Sequence, residues 1–177
     1  AGLGIVPTSS TIAQLSIGDA LAVATIDKKN ISKKDFKKFH PSGSLGTKLK
    51  TVEDLMITKN KIPFINESAS MKNALKVITQ KKLGILISKN QKGNTTGIIT
   101  DGQIRRISQK NRDLHSLKVK NVMTKNPIKV DKEILAIKAL SIMNSKKITS
   151  LCVYSKNNKS KTIGIIHIHN ILENTTN

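Results

Sequence analysis

The sequence predicts a mixed α/β (α+β) fold made of two copies of one supersecondary unit, preceded by a separate helical segment. Three observations carry this. Val52-Glu-Asp-Leu-Met56 returns 67 residues later as Val119-Lys-Asn-Val-Met123, and Gly97-Ile-Ile-Thr-Asp-Gly-Gln-Ile-Arg105 returns at the same offset as Gly164-Ile-Ile-His-Ile-His-Asn-Ile-Leu172. Between these marks, Ala74-Leu75 and Lys81-Lys82 align with Ala139-Leu140 and Lys146-Lys147 at an offset of 65, so small compensating insertions and deletions sit in the loops. Residues 1–50 follow a different pattern. Self-similarity at a fixed period signals a repeat architecture.

Each copy opens with a short segment ending in Met. A helix follows: Ser70 is placed to cap it, and Met71, Ala74, Leu75 and Ile78 fall at i, i+3, i+4 and i+7, one apolar stripe. Leu135, Ala139, Ile142 and Met143 repeat that stripe. Next come the apolar runs Ile85-Leu86-Ile87 and Gly97-Ile98-Ile99 in the first copy, and Leu151 to Tyr154 and Ile163 to Ile166 in the second. Polar loops such as Asn90 to Gly93 and Asn157 to Ser160 separate them, as expected of buried strands joined by exposed turns. A second short helix closes each βαββα unit. One unit of roughly 55 residues buries too little surface to stand alone, so the copies are expected to bury their stripes against each other in one globule.

Composition bounds the function. The chain has 177 residues, long enough for one or two small domains. It contains no run of about 18 apolar residues and no N-terminal signal pattern, so a cytoplasmic location and no membrane role are expected. The single Cys152 excludes an internal disulfide, and its place in an apolar strand predicts a buried thiol. The net charge of +20 suggests polyanions. Yet its arginines are only Arg105, Arg106 and Arg112, the lysines are scattered, and aromatic residues make up 2%. Base stacking needs aromatics and duplex reading a focused basic stripe, so no specific nucleic-acid partner is expected.

In the first fifty residues, Pro7-Thr-Ser-Ser-Thr11 precedes Ala13, Ile17, Ala20, Leu21 and Ala24, which keep helical spacing. Hydroxyls and free backbone N–H groups at a helix N-terminus suit an anion, although capping without a ligand is the commoner use. Ser32 and Asp35 read as cap and first-turn acid of a second short helix, leading into His40-Pro-Ser-Gly-Ser-Leu-Gly46. The His40 imidazole can move protons near neutral pH. His167 and His169, two apart, can share a face, but two ligands do not make a metal site, and no metal is expected. His115 lies in a polar linker and reads as a surface residue.

The repeated pattern with Gly-Ile-Ile-Thr before its last helix resembles the tandem cystathionine-β-synthase (CBS) domain pair, with copies at 52–110 and 119–174. That resemblance implies a cleft between the copies for a nucleotide or nucleotide-sugar, lined by Ser68, Thr100, Asp101, Gln103, Asn121, His167 and Asn170. In the family a Thr or Ser approaches phosphate or ribose and an Asp binds the ribose hydroxyls. Here Gln103 and Asn170 hold the Asp positions and His167 the second hydroxyl position. An amide offers one acceptor oxygen and a donor that a diol leaves unpaired, which predicts weak binding of AMP and ATP.

The succession of Pro7 to Thr11, Gly18-Asp-Ala-Leu-Ala22 and His40 to Gly46, followed by such a pair, resembles the C-terminal part of the arabinose 5-phosphate isomerases. Those enzymes carry a doubly wound sugar-isomerase (SIS) domain and interconvert D-ribulose 5-phosphate and D-arabinose 5-phosphate for Kdo and lipopolysaccharide synthesis. The resemblance makes residues 1–50 the C-terminal remnant of the SIS domain and His40 a catalytic group, with Thr8, Ser9 and Ser10 near the substrate phosphate. It further implies a homo-oligomer joined through SIS and CBS regions, and a chain inactive without the rest of the SIS domain. Pro-Ser-Gly-Ser replaces the family's Pro-Gly-Gly-Ala after the histidine. The alternative reading is a stand-alone CBS sensing module without catalysis.

Overall fold

The computed structural model describes residues 7–32, 35, 49–110 and 113–174. The chain divides into two compact units, Ala1–Leu49 and Lys50–Asn177.

In the first unit, α1 spans Ser9–Lys28. Its start is set by Thr8, whose side chain makes no capping bond, while the Thr11 hydroxyl donates to the Pro7 carbonyl at 2.7 Å. Asn30 ends the helix in the left-handed region at φ 49, a conformation Asn tolerates. None of the helix residues is buried, and Ile12, Leu15, Ile17, Leu21 and Val23 are all exposed. Ser32 and Asp35 form the expected reciprocal cap: the Ser32 hydroxyl donates to Asp35 Oδ2 at 2.6 Å, and the Asp35 N–H donates to Ser32 Oγ at 3.3 Å. His40 and its loop lie outside the described residues.

The second unit holds two four-stranded sheets. Its elements run α2 (Val52–Leu55), β1 (Ile57–Thr58), β2 (Phe64–Asn66), α3 (Met71–Lys81), β3 (Ile85–Lys89), β4 (Thr95–Thr100) and α4 (Asp101–Lys110). The second copy continues with α5 (Val119–Val122), β5 (Thr124–Lys125), β6 (Lys129–Asp131), α6 (Ala136–Lys146), β7 (Ser150–Tyr154), β8 (Gly164–His167) and α7 (Ile168–Leu172). One sheet has the order β2-β3-β4-β5, the other β1-β8-β7-β6. In each, the strand before the long helix pairs in parallel with the strand after it, β2 with β3 and β6 with β7, and the remaining pairs are antiparallel.

The opening segments are exchanged between copies. β1 pairs with β8, and β5 pairs with β4, so each sheet is completed by a strand from the other side of the sequence repeat. Backbone bonds repeat the exchange: Val52 N–H donates to the Ile134 carbonyl and Val119 N–H to the Ala69 carbonyl, both at 2.9 Å. A linear parse of a repeat assigns each segment to the copy it precedes, whereas edge pairing is a long-range choice.

The exchange also decides where the cores sit. Val52 packs with Val130, Ala139, Met143, Leu151 and Ile166 of the second copy. Val119 and Val122 pack with Met71, Ala74, Leu86 and Ile99 of the first. The helix stripes therefore do not meet, contrary to the sequence expectation; each lies on its own sheet. The copies join instead through strand residues, Ile85 and Ile87 against Cys152 and Ile165, with Ile62 at the margin. Period-2 strands with two apolar faces can serve a helix on one side and a second sheet on the other. Thr95 and Thr162 reinforce that junction, their hydroxyls 2.8 Å apart, with Thr162 N–H donating to Thr95 Oγ1 at 3.0 Å.

Two helix starts differ between the copies. Ser70 caps α3, its Oγ accepting from Asn73 N–H at 3.4 Å. Leu135, expected within the stripe, is the N-cap of α6 and makes no side-chain capping bond; Ala136 takes the buried place.

Candidate ligand cleft

β4 ends at Thr100 and α4 begins at Asp101, and this strand-to-helix turn forms one wall of a cavity of about 390 Å³. Thr100 Oγ1 accepts from Gln103 N–H at 3.4 Å, a long side-chain cap at a helix start. Both ends of the Gln103 amide are hydrogen-bonded. Its Nε2 donates to the Val122 carbonyl, and its Oε1 accepts from Thr124 Oγ1 at 3.2 Å. Through these two bonds Gln103 fastens the exchanged segment of the second copy to the first.

The opposite wall comes from the second copy. Lys147 caps the C-terminal end of α6 in the left-handed conformation, φ 53 and ψ 45, and is followed by Ile148, Thr149 and Ser150 along the cavity. A lysine there has a favourable interaction with the negative end of the helix dipole, which offsets part of the cost of a non-glycine residue at positive φ. Arg106, one turn into α4, contributes the second cationic side chain. Apolar lining comes from Ile85, Ile98, Pro127, Ile128 and Cys152. Burial pushes the Cys152 thiol up to about 11, as expected of an inert packed thiol. Among the described residues no carboxylate lines the cavity.

The corresponding turn of the second copy is chemically different. His167 caps α7, its Nδ1 accepting from His169 N–H at 3.3 Å. The two imidazoles stack with centroids 5.0 Å apart. Partial burial, and then the neighbouring His169, hold the His167 pKa below its ordinary value. Asn170 is half-buried and its Oδ1 has no hydrogen-bond partner.

The remaining predicted site residues are dispersed. Ser68 donates to Asn66 Oδ1 through both N–H (2.9 Å) and hydroxyl (2.7 Å), a local turn beside a different surface hollow formed with Asn90, Lys92 and Asn94. Asn121 is exposed on α5, and Asp101 is exposed with its carboxylate near Gly84 rather than in the cavity. Thr8, Ser9 and Ser10 are exposed at the start of α1, and His40 lies outside the described residues. Of the predicted cleft residues, Thr100 and Gln103 share the cavity described. Sequence reasoning missed Arg106, Lys147, Thr149 and Ser150. The repeated Lys-Lys pair was a visible signal, read only as an alignment mark.

The CBS domain family matches residues 52–110 and 119–176, and the chain belongs to that family. It is 40% identical over 171 residues to the arabinose 5-phosphate isomerase KdsD of Yersinia pestis, which covers 96% of this chain and 51% of the relative. The KdsD of Escherichia coli strain K12 gives the same identity and coverage. The chain thus spans about half the length of the curated relatives it matches. The fold superposes on CBSX2 in complex with AMP with a TM-score of 0.61 at 22% identity, over 70% of this chain and 93% of that one. The CBS domain of a bacterial CNNM/CorC family Mg²⁺ transporter in complex with ATP gives a TM-score of 0.62 at 14% identity, over 75% and 91%.

Proposed function

We propose that this chain works as the C-terminal part of an arabinose 5-phosphate isomerase, with the CBS pair as its regulatory element. The observation that carries the reading is the 40% identity to KdsD over 96% of the chain, which takes in residues outside the CBS pair as well as the pair itself. On this reading residues 1–50 complete a SIS domain supplied by the remaining half of the isomerase. The reaction, in the cytoplasm, interconverts D-ribulose 5-phosphate and D-arabinose 5-phosphate. One base takes a proton from the carbon beside the carbonyl and returns it to the neighbouring carbon through a cis-enediol, with proton transfer between the oxygens. His40 serves as one acid/base or assists ring opening, and Thr8, Ser9 and Ser10 sit near the substrate phosphate. The chain alone does not turn over substrate, because proton transfer needs the phosphate held and the reacting atoms within about 3–3.5 Å of the catalytic group.

The cleft between the CBS copies, on this reading, binds a nucleotide or nucleotide-sugar that sets isomerase activity. Support comes from the fold relatives in complex with AMP and ATP and from the cationic lining of the cavity. A pathway nucleotide-sugar such as CMP-Kdo is a candidate effector by functional analogy. The assembly is a homo-oligomer held through SIS and CBS regions. A second reading, a sensing module without catalysis, rests on the likeness of the fold to CBS pairs in complex with AMP and ATP.

An isomerase assay separates the two. The purified chain alone is expected to be inactive, and addition of the SIS portion of the isomerase to restore turnover that His40→Ala abolishes. Turnover by the chain alone would refute the division of labour. Failure of every reassembled form to isomerise would favour the stand-alone sensor.

A further inference from the structure

The cavity has an unusual balance of polar groups for a site that reads a ribose. Among the described residues its charged side chains are two cations, Arg106 from the first copy and Lys147 from the second, with no Asp or Glu. Its amide acceptor in the strand-to-helix turn, Gln103 Oε1, already accepts from Thr124 Oγ1 and keeps one further lone pair, not the two-oxygen fork of a carboxylate. The remaining polar lining consists of hydroxyls and the Asn126 amide. A cis-diol is read well by a pair of strong acceptors, above all a carboxylate receiving two O–H bonds, because charge-assisted bonds are roughly twice as strong as neutral ones. Single hydroxyls offer no such fork, and a neutral bond changes affinity only modestly once water is counted.

The other two moieties of a nucleotide find complementary surroundings. A phosphate meets a guanidinium, able to form bidentate bonds, and an ammonium. A flat base meets Ile85, Ile98, Pro127 and Ile128. A cavity of about 390 Å³ falls in the range of small-molecule sites. Arg106 and Lys147 belong to different copies, so a phosphate held by both would bridge the pair.

Resting on the reading of this cavity as an effector site, we infer that it takes an organic phosphate by its phosphate and its apolar face, without reading a ribose diol. Ribo- and deoxyribonucleotides are therefore equivalent ligands here. Discrimination among effectors comes from the phosphate and from the group lying against the isoleucines.

Calorimetry on the full chain tests this with matched probes: AMP against dAMP, CMP against dCMP, and the parent nucleosides adenosine and cytidine. The expected result is at least one ribo/deoxy pair bound with affinities equal within about threefold, its nucleoside at least about tenfold weaker, and binding lost by about tenfold or more in Arg106→Ala. Arg106 is exposed, so that variant keeps its core, and a preserved melting curve checks this. Lys147→Ala provides the second variant and is expected to weaken the same ligand. A ribonucleotide bound more than about tenfold tighter than its deoxy form would overturn the inference and leave the effector reading standing. Unchanged affinity in both variants would also overturn it, by placing the nucleotide elsewhere. Failure of every nucleotide to bind would overturn both. Binding in the expected pattern without any change in the turnover of the reassembled isomerase would support this inference and sink only the regulatory reading.

Discussion

The turn at Thr100 to Arg106 and its mate at His167 to Glu173 share a backbone plan and differ in what their side chains do. In the first, Gln103 spends both amide groups on the exchanged segment, leaving Arg106 beside an open cavity. In the second, two imidazoles stack and Asn170 keeps a buried oxygen without a partner. The lesson is that duplication preserves the scaffold while the turn residues diverge. The core mates Val52 and Val119 are both fully buried, whereas Thr100 and His167 have become different chemical groups.

The largest test of this pseudo-symmetry is truncation through the exchange. A chain starting at Lys50 is expected to unfold cooperatively, with the α1 segment dispensable for the pair. Removing α2 and β1 as well strips Val52 from the second core and an edge strand from its sheet, at a cost of more than about 3 kcal/mol. Equal urea midpoints for the two truncated chains would break the comparison.

Next come the two glycines under the methionines. A Cβ on Gly97 would lie 2.8 Å from the Thr124 carbonyl oxygen and 2.7 Å from Met123 Sδ. On Gly164 it would lie 2.5 Å from Met56 Sδ but 3.1 Å from the Ile57 carbonyl oxygen. A thioether can swing away and a sheet carbonyl cannot. Gly97→Ala is therefore expected to cost about 2–3 kcal/mol and Gly164→Ala about 1 kcal/mol. The reverse order in chemical denaturation would show that Met56 is the more rigid of the pair.

Smaller still is a pH effect confined to the second turn. Because the folded pKa of His167 is depressed from 6.5, its contribution to stability is complete above that value. It is lost as pH falls from 6.5 through the lowered folded pKa, where the unfolded chain binds the proton more readily. A protonated Nδ1 also cannot accept the His169 N–H. Between pH 7.5 and 5.5 the melting temperature is expected to fall more in the parent than in His167→Thr, which restores the hydroxyl of the first copy. Identical pH profiles would remove His167 from the account.

Another modest effect lies at the helix starts. Ser70→Ala should destabilise by about 0.5–1 kcal/mol, given its long 3.4 Å capping bond. A loss within experimental error would show that the cap does no more than Leu135 does at the start of α6.

The repeat, the order of its helices and strands, the Ser70 cap and the burial of Cys152 were all legible in the sequence, because each follows from local periodicity or residue type. Legibility stopped at the exchange of α2–β1 and α5–β5. It also stopped at Ser68 and Asn121, which lie apart from the cavity, and at Arg106 and Lys147, which line it. These depend on which strand edges meet and on where two helix ends converge.

By itself the sequence determined that there would be two copies of a βαββα unit, which faces of their helices were apolar, and which residues had replaced a carboxylate. Only the tertiary structure decided which copy each opening segment completes and that Gln103 is occupied internally. It also brought cations from two copies to one cavity. The physical reason is range: periodicity acts through neighbours three or four residues apart, whereas strand-edge pairing and side-chain partnership are settled between residues that only packing brings together.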